Sequence, residues 1–134
     1  MRDCDCYIRI VVLMLMLLVT GSGSQSWAGD DVQFVRFTKQ SLQAGRQIWI
    51  GNCKTCHAYG TAGAPVPMEV GDWQSRLFKP RQVLYDHAIH GYYGQDDTIM
   101  PARGGNPELT DKQVRQAVDY MVRLAEYYIS QQSR

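Results

Sequence analysis

The sequence predicts an all-α domain, three to four helices joined by long loops. Three observations carry that reading. Apolar residues recur at three- and four-residue intervals within 38–50 and again within 114–128. No stretch alternates apolar and polar residues as a half-buried strand would. The connecting segments are rich in glycine and proline, as in "AYGTAGAPVPMEVGD" at 58–72.

The chain begins with a segment that reads as removable. Arg2 and Arg9 lie in a short polar head, and the apolar run "IVVLMLMLLV" follows at 10–19. Ser26 and Ala28 then supply the small residues of a cleavage site, so residues 1–28 have the three-part plan of a secretory signal peptide, cut between Ala28 and Gly29. A retained anchor is the rival, but the run is about half the 20 apolar residues that a membrane span needs. The cut takes Cys4 and Cys6 with it. Cys53 and Cys56 are the cysteines left in the mature chain, so no disulfide framework can form. The reading is an exported, bacterial, periplasmic protein with no stable membrane insertion after cleavage.

Residues 29–37 read as an irregular lead-in carrying Phe34 and Phe37, and 38–134 as the domain proper. The first helix spans about Thr38 to Ile50, with Leu42, Gly45, Ile48 and Trp49 on one face and Gly51 as its stop. A short helix is expected over 72–78, with Asp72 as N-cap. Pro80 opens the next, "PRQVLYDHAIHG", which buries Val83, Leu84, His87 and Ala88 and ends at Gly91. Residues 91–109 read as loop. The last helix has the strongest signal. Thr110 and Gln113 form a capping box, and Val114, Ala117, Val118, Met121, Leu124, Ala125 and Tyr128 recur along one face.

A chain of 134 residues has room for one small domain. Its net charge of +1, with no basic stripe, excludes nucleic acid as a partner. Two loops of more than a dozen residues leave too little helix–helix contact for a core. A large, flat, apolar cofactor would fill the middle.

The stretch "GNCKTCHAYG" at 51–60 names three candidate chemistries. Structural zinc needs four ligands, so His87 and His90 would have to join Cys53 and Cys56, leaving His57 unexplained. Thiol–disulfide exchange expects the Cys-x-x-Cys after a strand, at a helix start, and here it follows a helix. Covalent haem capture uses all three residues: Cys53 and Cys56 add to the two porphyrin vinyl groups, and the His57 imidazole coordinates the iron. For the second axial ligand, Met121 reads as core, and Met68 is too few residues past His57 to pass around the porphyrin edge. Met100, held by Pro101, has the chain length to do so. His87 and His90 remain the bis-histidine alternatives.

The order helix, "CKTCH", loop, "IMPARGGNPELTDKQVRQAVDYMV", together with "LYDHAIHG", resembles the class I c-type cytochromes, in particular small bacterial monohaem cytochromes of the c-five type. The resemblance covers about residues 38–130 and implies a cytochrome c fold wrapped around one covalent haem c. It places Gly45 and Trp49 where the first helix crosses the last, at Tyr120. It implies that the Pro65 carbonyl accepts the His57 proton, and that Gly104 and Gly105 let backbone pass near the porphyrin edge. Trp73 and Arg76 could reach the haem propionates, although packing and a solvated charge are the favoured account of them. Some members carry an extra cysteine pair that the mature chain lacks.

The function expected is a soluble one-electron carrier with His57/Met100 axial ligation and no enzymatic activity. Its partners would be respiratory complexes, oxidases or reductases, docking transiently. Lys54, Lys79, Arg81 and Arg103 could form a basic rim or merely a scattered, solvated surface. The alternatives are a haem-bearing or membrane-tethered subunit of a larger oxidoreductase, and a peroxide-reactive haem enzyme.

Overall fold

The computed structural model describes residues 34–95 and 97–133. The signal-peptide reading, and the part of the lead-in before Phe34, lie outside them. Five α-helices appear among the described residues: α1 (Gln40–Asn52), α2 (Lys54–His57), α3 (Val70–Trp73), α4 (Arg81–His90) and α5 (Asp111–Gln132). No helix among them is long and apolar enough to cross a membrane.

α5 begins at the expected capping box: Thr110 accepts from the Gln113 N–H, and the Gln113 side chain accepts from the Thr110 N–H. Its buried face comprises the expected Val114, Ala117, Val118, Met121, Leu124 and Ala125, joined by Tyr120 and Val122, while Tyr128 is half-buried. α1 crosses α5 at Gly45. A Cβ at that position would collide with the backbone carbonyl of Gln116, so glycine sets the closeness of the two helices. Next to the crossing, Trp49 and Tyr120 have ring centroids 5.7 Å apart, and Trp49 meets Phe34 edge-on at 5.0 Å.

The described end of the lead-in belongs to this core. Phe34 is fully buried. The buried Arg46 donates from Nε to the Phe34 carbonyl at 2.8 Å, and Tyr120 donates to the Val35 carbonyl at 3.2 Å. Two helices thereby fasten the irregular backbone of the lead-in to the core.

Three expectations need correction. Gly51 does not stop α1. The helix runs on to Asn52 and, after Cys53 in αR geometry, resumes as α2. Glycine ends a helix only where it takes a positive φ; in αR it costs about 1 kcal/mol relative to alanine and the helix continues. Asp72 lies inside the first turn of α3 rather than at its N-cap, and residues 76–78 form a separate 3₁₀ turn. Residues 91–109 are not all loop. β1 (Tyr92–Tyr93) pairs antiparallel with β2 (Ile99–Met100), Tyr92 opposite Met100, and a 3₁₀ turn follows at Ala102–Gly105.

α4 follows Pro80 and ends at Gly91, whose φ of +88° breaks the helix. Its buried residues are Ala88 and Ile89. Val83, Leu84 and His87 are half-buried, so this face is only partly covered by protein. A polar seam joins α4 to α5, in which Tyr85 donates to the Asp119 carboxylate at 2.6 Å and Arg81 pairs with the same group at 3.4 Å.

Candidate haem-binding site

The near-continuity of α1 and α2 presents the cysteine–histidine cluster. The Cys53 N–H bonds the Trp49 carbonyl at 2.8 Å and the His57 N–H bonds the Cys53 carbonyl at 3.0 Å, so helical geometry passes through the motif. Residues three and four apart share a helix face, which brings Cys53, Cys56 and His57 to one side. Cys53 is half-buried, Cys56 exposed and His57 buried.

His57 is oriented through its Nδ1, which lies 2.9 Å from the Pro65 carbonyl oxygen. A carbonyl only accepts, so Nδ1 carries the proton and Nε2 keeps its lone pair. Burial pushes the His57 pKa down; the bond to Pro65 raises it and the Arg76 charge lowers it again. Depression favours the neutral ring, the form that can ligate a metal. The segment holding Pro65 is itself anchored. Asp72 Oδ2 accepts from the Val66 N–H at 2.9 Å, and the Arg76 guanidinium donates to the Asp72 carbonyl. Sequence reasoning assigned Asp72 to helix capping and missed this bracing.

Below the motif lies a cavity of about 590 Å³ lined by Cys53, Cys56, His57, Pro65, Met100 and Gly104 among others. A pocket of about 20 Å³ sharing Cys53, His57 and Met100 reaches Trp49 and Val114. The structure therefore brings every one of the proposed cofactor-contacting residues to the wall of one cavity. Met100 is half-buried there, delivered by β2. Gly104 has a φ of +66°, and a Cβ on it would stand 3.2 Å from the Asn52 carbonyl oxygen, so its close approach is to the end of α1. Met121 is core, as expected, and also faces the cavity. Met68 packs against the core instead. His87 is a correction. It is not on a packed face but lines the cavity, stacked on Tyr92 with centroids 4.0 Å apart. His90 is exposed at the helix end.

The residues fit a haem on two counts. The cavity is wide and largely apolar. Next to it, Trp73 and Trp49 are fully buried with indole N–H groups that have no acceptor among the described residues. Orphaned buried donors cost about 1–3 kcal/mol each, and a haem brings two propionate carboxylates. Trp73 lines the cavity together with Arg76, which favours the propionate reading of this pair over plain packing.

The rival chemistries fit less well. As a free thiol, Cys53 is pushed up to about 11, by burial first and by Cys56 second. Thiol–disulfide exchange needs the opposite shift. Zinc would need His87 and His90 beside the cysteines, and among the described residues no three of His, Cys, Asp and Glu converge into a metal set. The suggested basic rim is largely tied up: Arg103 pairs with Asp111 at 2.6 Å, Arg81 with Asp119, and the Lys54 ammonium sits 5.2 Å from the Phe34 ring centroid.

Comparison with known proteins adds to this geometry. The family described as cytochrome C oxidase, cbb3-type, subunit III matches residues 40–121. Cytochrome c-555 of Prosthecochloris aestuarii is 44% identical over 84 residues, covering 60% of this chain and 85% of that protein. Cytochrome c-555 of Chlorobaculum thiosulfatiphilum is 42% identical over 79 residues, 59% of this chain and 91% of that one. Cytochrome c-551 of Halorhodospira halochloris is 36% identical over 70 residues, 52% of this chain and 78% of that one. With Cys53 and Cys56 at the haem-attachment spacing and the helical fold around them, the chain belongs to this cytochrome c family, as a class I monohaem c-type cytochrome of electron transport that carries a covalent c-type haem.

Proposed function

We propose that the protein is an exported, periplasmic one-electron carrier whose haem is attached through Cys53 and Cys56 and whose iron is held between His57 and Met100. The haem supplies an iron that alternates between Fe(II) and Fe(III). The chain's own residues do the rest: the Pro65 carbonyl fixes the His57 tautomer so that Nε2 can ligate, and β2 presents a thioether. Trp73 and Arg76 offer donors to the propionates, and Val118, Met121 and Leu84 keep the walls apolar. The single observation that carries the reading is that His57, with Nε2 left free to ligate, and Met100 line the same cavity. With His57 and Met100 both holding the iron, no position would be left for substrate chemistry, so the protein is read as a carrier rather than an enzyme, served by transient contacts with redox proteins.

The test is Met100→Ala. The ferric protein should become high-spin and bind added ligands, and an unchanged low-spin spectrum would overturn the Met100 assignment. Acid denaturation with organic-solvent extraction tests the attachment, since pigment leaving the polypeptide would contradict it.

A second reading draws on the family description, which names a subunit of an oxidase. In that case the chain would work as the haem-bearing part of a larger respiratory oxidoreductase. Recovery of the chain from the membrane fraction with its N-terminus at Met1 would favour this version; recovery as a free protein starting near Gly29 favours the carrier.

A further inference from the structure

We propose that a pair of side-chain amides, Asn52 and Asn106, is the clasp that keeps Met100 in place, acting as positioning residues between the haem-attachment helix and the methionine loop. The inference rests on Met100 being the second axial ligand.

Asn52 is the last residue of α1, directly before Cys53. Its Nδ2 donates back to the Ile48 carbonyl at 2.9 Å, which turns Oδ1 outward. Asn106 Nδ2 donates to that oxygen at 2.7 Å across 54 residues of sequence. Asn106 Oδ1 in turn accepts from the Glu108 N–H at 3.1 Å. Each amide is thus held at both ends, and flipping either would forfeit two hydrogen bonds and set like atoms against each other. The contact is half-buried, where such bonds count for more than in open water.

The clasp closes on a segment already shaped to receive it. Upstream of it, a Cβ on Gly91 would lie 3.0 Å from the Met100 carbonyl oxygen and 3.2 Å from the Ala102 nitrogen, so the end of α4 backs the Met100–Ala102 backbone. Downstream, the Gly104 N–H bonds the Pro101 carbonyl at 3.2 Å and the Asn106 N–H bonds the Arg103 carbonyl at 3.3 Å. Arg103 adopts a φ of +56° and donates to the Leu109 carbonyl and the Asp111 carboxylate, both at 2.6 Å. Residues 101–111 therefore form one folded clip, with Met100 at one end and the α5 cap at the other. Among the described side chains, the Asn52–Asn106 bond ties the middle of this clip to the residue that abuts the haem-bearing cysteine. A thioether is a weak ligand, and a restrained backbone at Met100 would make its displacement by an added base less favourable.

Two isosteric changes separate the clasp from overall stability. Asn106→Asp keeps the acceptor for the Glu108 N–H but removes the donor to Asn52. Asn52→Asp keeps the acceptor and makes it charged, at the expense of the Ile48 bond, and it places a negative charge at the C-terminal end of α1, which lowers overall stability. The experiment titrates ferric holo-protein with imidazole, follows the methionine-to-iron charge-transfer band, and measures denaturant stability separately. Asn106→Asp should bind imidazole about three- to tenfold more tightly than wild type, the factor a single lost hydrogen bond carries. Asn52→Asp should bind it no more tightly than wild type even though the protein is less stable. A role in stability alone would make imidazole binding follow stability in both variants, and that result overturns the clasp. So does an Asn106→Asp protein that binds imidazole as wild type does while the wild-type band is present. If wild type lacks the band, the Met100 assignment itself is what fails.

Discussion

The two halves of this molecule are built to different standards of completeness. Around the α1–α5 crossing, Phe34, Trp49, Tyr120 and Leu124 are fully buried, the rings touch edge to face, and glycine lets the backbones close. On the other side, α4 offers half-buried Leu84 and His87, the other elements are short turns and strands, and a cavity of about 590 Å³ lies among them. One half is a packed protein interior. The other is a lining around a space that a haem would fill. The difference teaches that the chain devotes its longest helices to a platform and leaves the cofactor to complete the core.

The largest effect is expected on the packed half. Trp49→Ala removes a fully buried ring that contacts Phe34 and Tyr120 and should cost the holo-protein about 3–5 kcal/mol in denaturant unfolding. Gly45→Val should cost about 1–3 kcal/mol by forcing α1 away from the Gln116 carbonyl, with the same readout. A loss below about 0.5 kcal/mol in either variant would mean that the crossing is not the platform described.

Trp73→Phe sharpens the comparison on the cavity side. If the indole N–H donates to a propionate, the change should cost about 1 kcal/mol and shift the midpoint potential. If that N–H has no acceptor in the holo-protein, the midpoint potential should stay at the wild-type value and only the packing lost with the smaller ring should register. The smallest effect belongs to the α4–α5 seam. Burial, and then the hydrogen bond to Asp119, push Tyr85 up to about 12. A folded-state pKa above the unfolded value near 10 favours the protonated phenol, so the stability it contributes is complete below about pH 10 and is lost toward pH 12. Tyr85→Phe should flatten the stability–pH curve in that window, and an unchanged slope would remove the seam from the account.

Much of the platform was legible because its signals are local or periodic. The capping box at Thr110 and Gln113, the stripe along α5 and the stop at Gly91 are short-range patterns with direct physical causes. The resemblance supplied the crossing of Gly45 and Trp49 at Tyr120, and the His57–Pro65 contact, which periodicity alone would not reveal. The cavity side was harder. Two-residue strands are too short to show alternation, so the β1–β2 pair was hidden within a loop. His87 sits at core spacing on α4, but spacing cannot tell a packed face from one that meets a cavity. Asp72 looks like a cap, and nothing near it in sequence announces that it braces Val66. Asn52 and Asn106 are ordinary polar residues until the fold brings them together across 54 positions.

The contrast between halves has one decisive measurement. Hydrogen exchange, followed segment by segment, would compare the exported holo-protein with the haem-free Cys53→Ser, Cys56→Ser chain. The account predicts that residues 58–69 and 91–109 exchange at the rate of an unfolded chain once the haem is gone. Protection of those segments undiminished in the haem-free protein would contradict it.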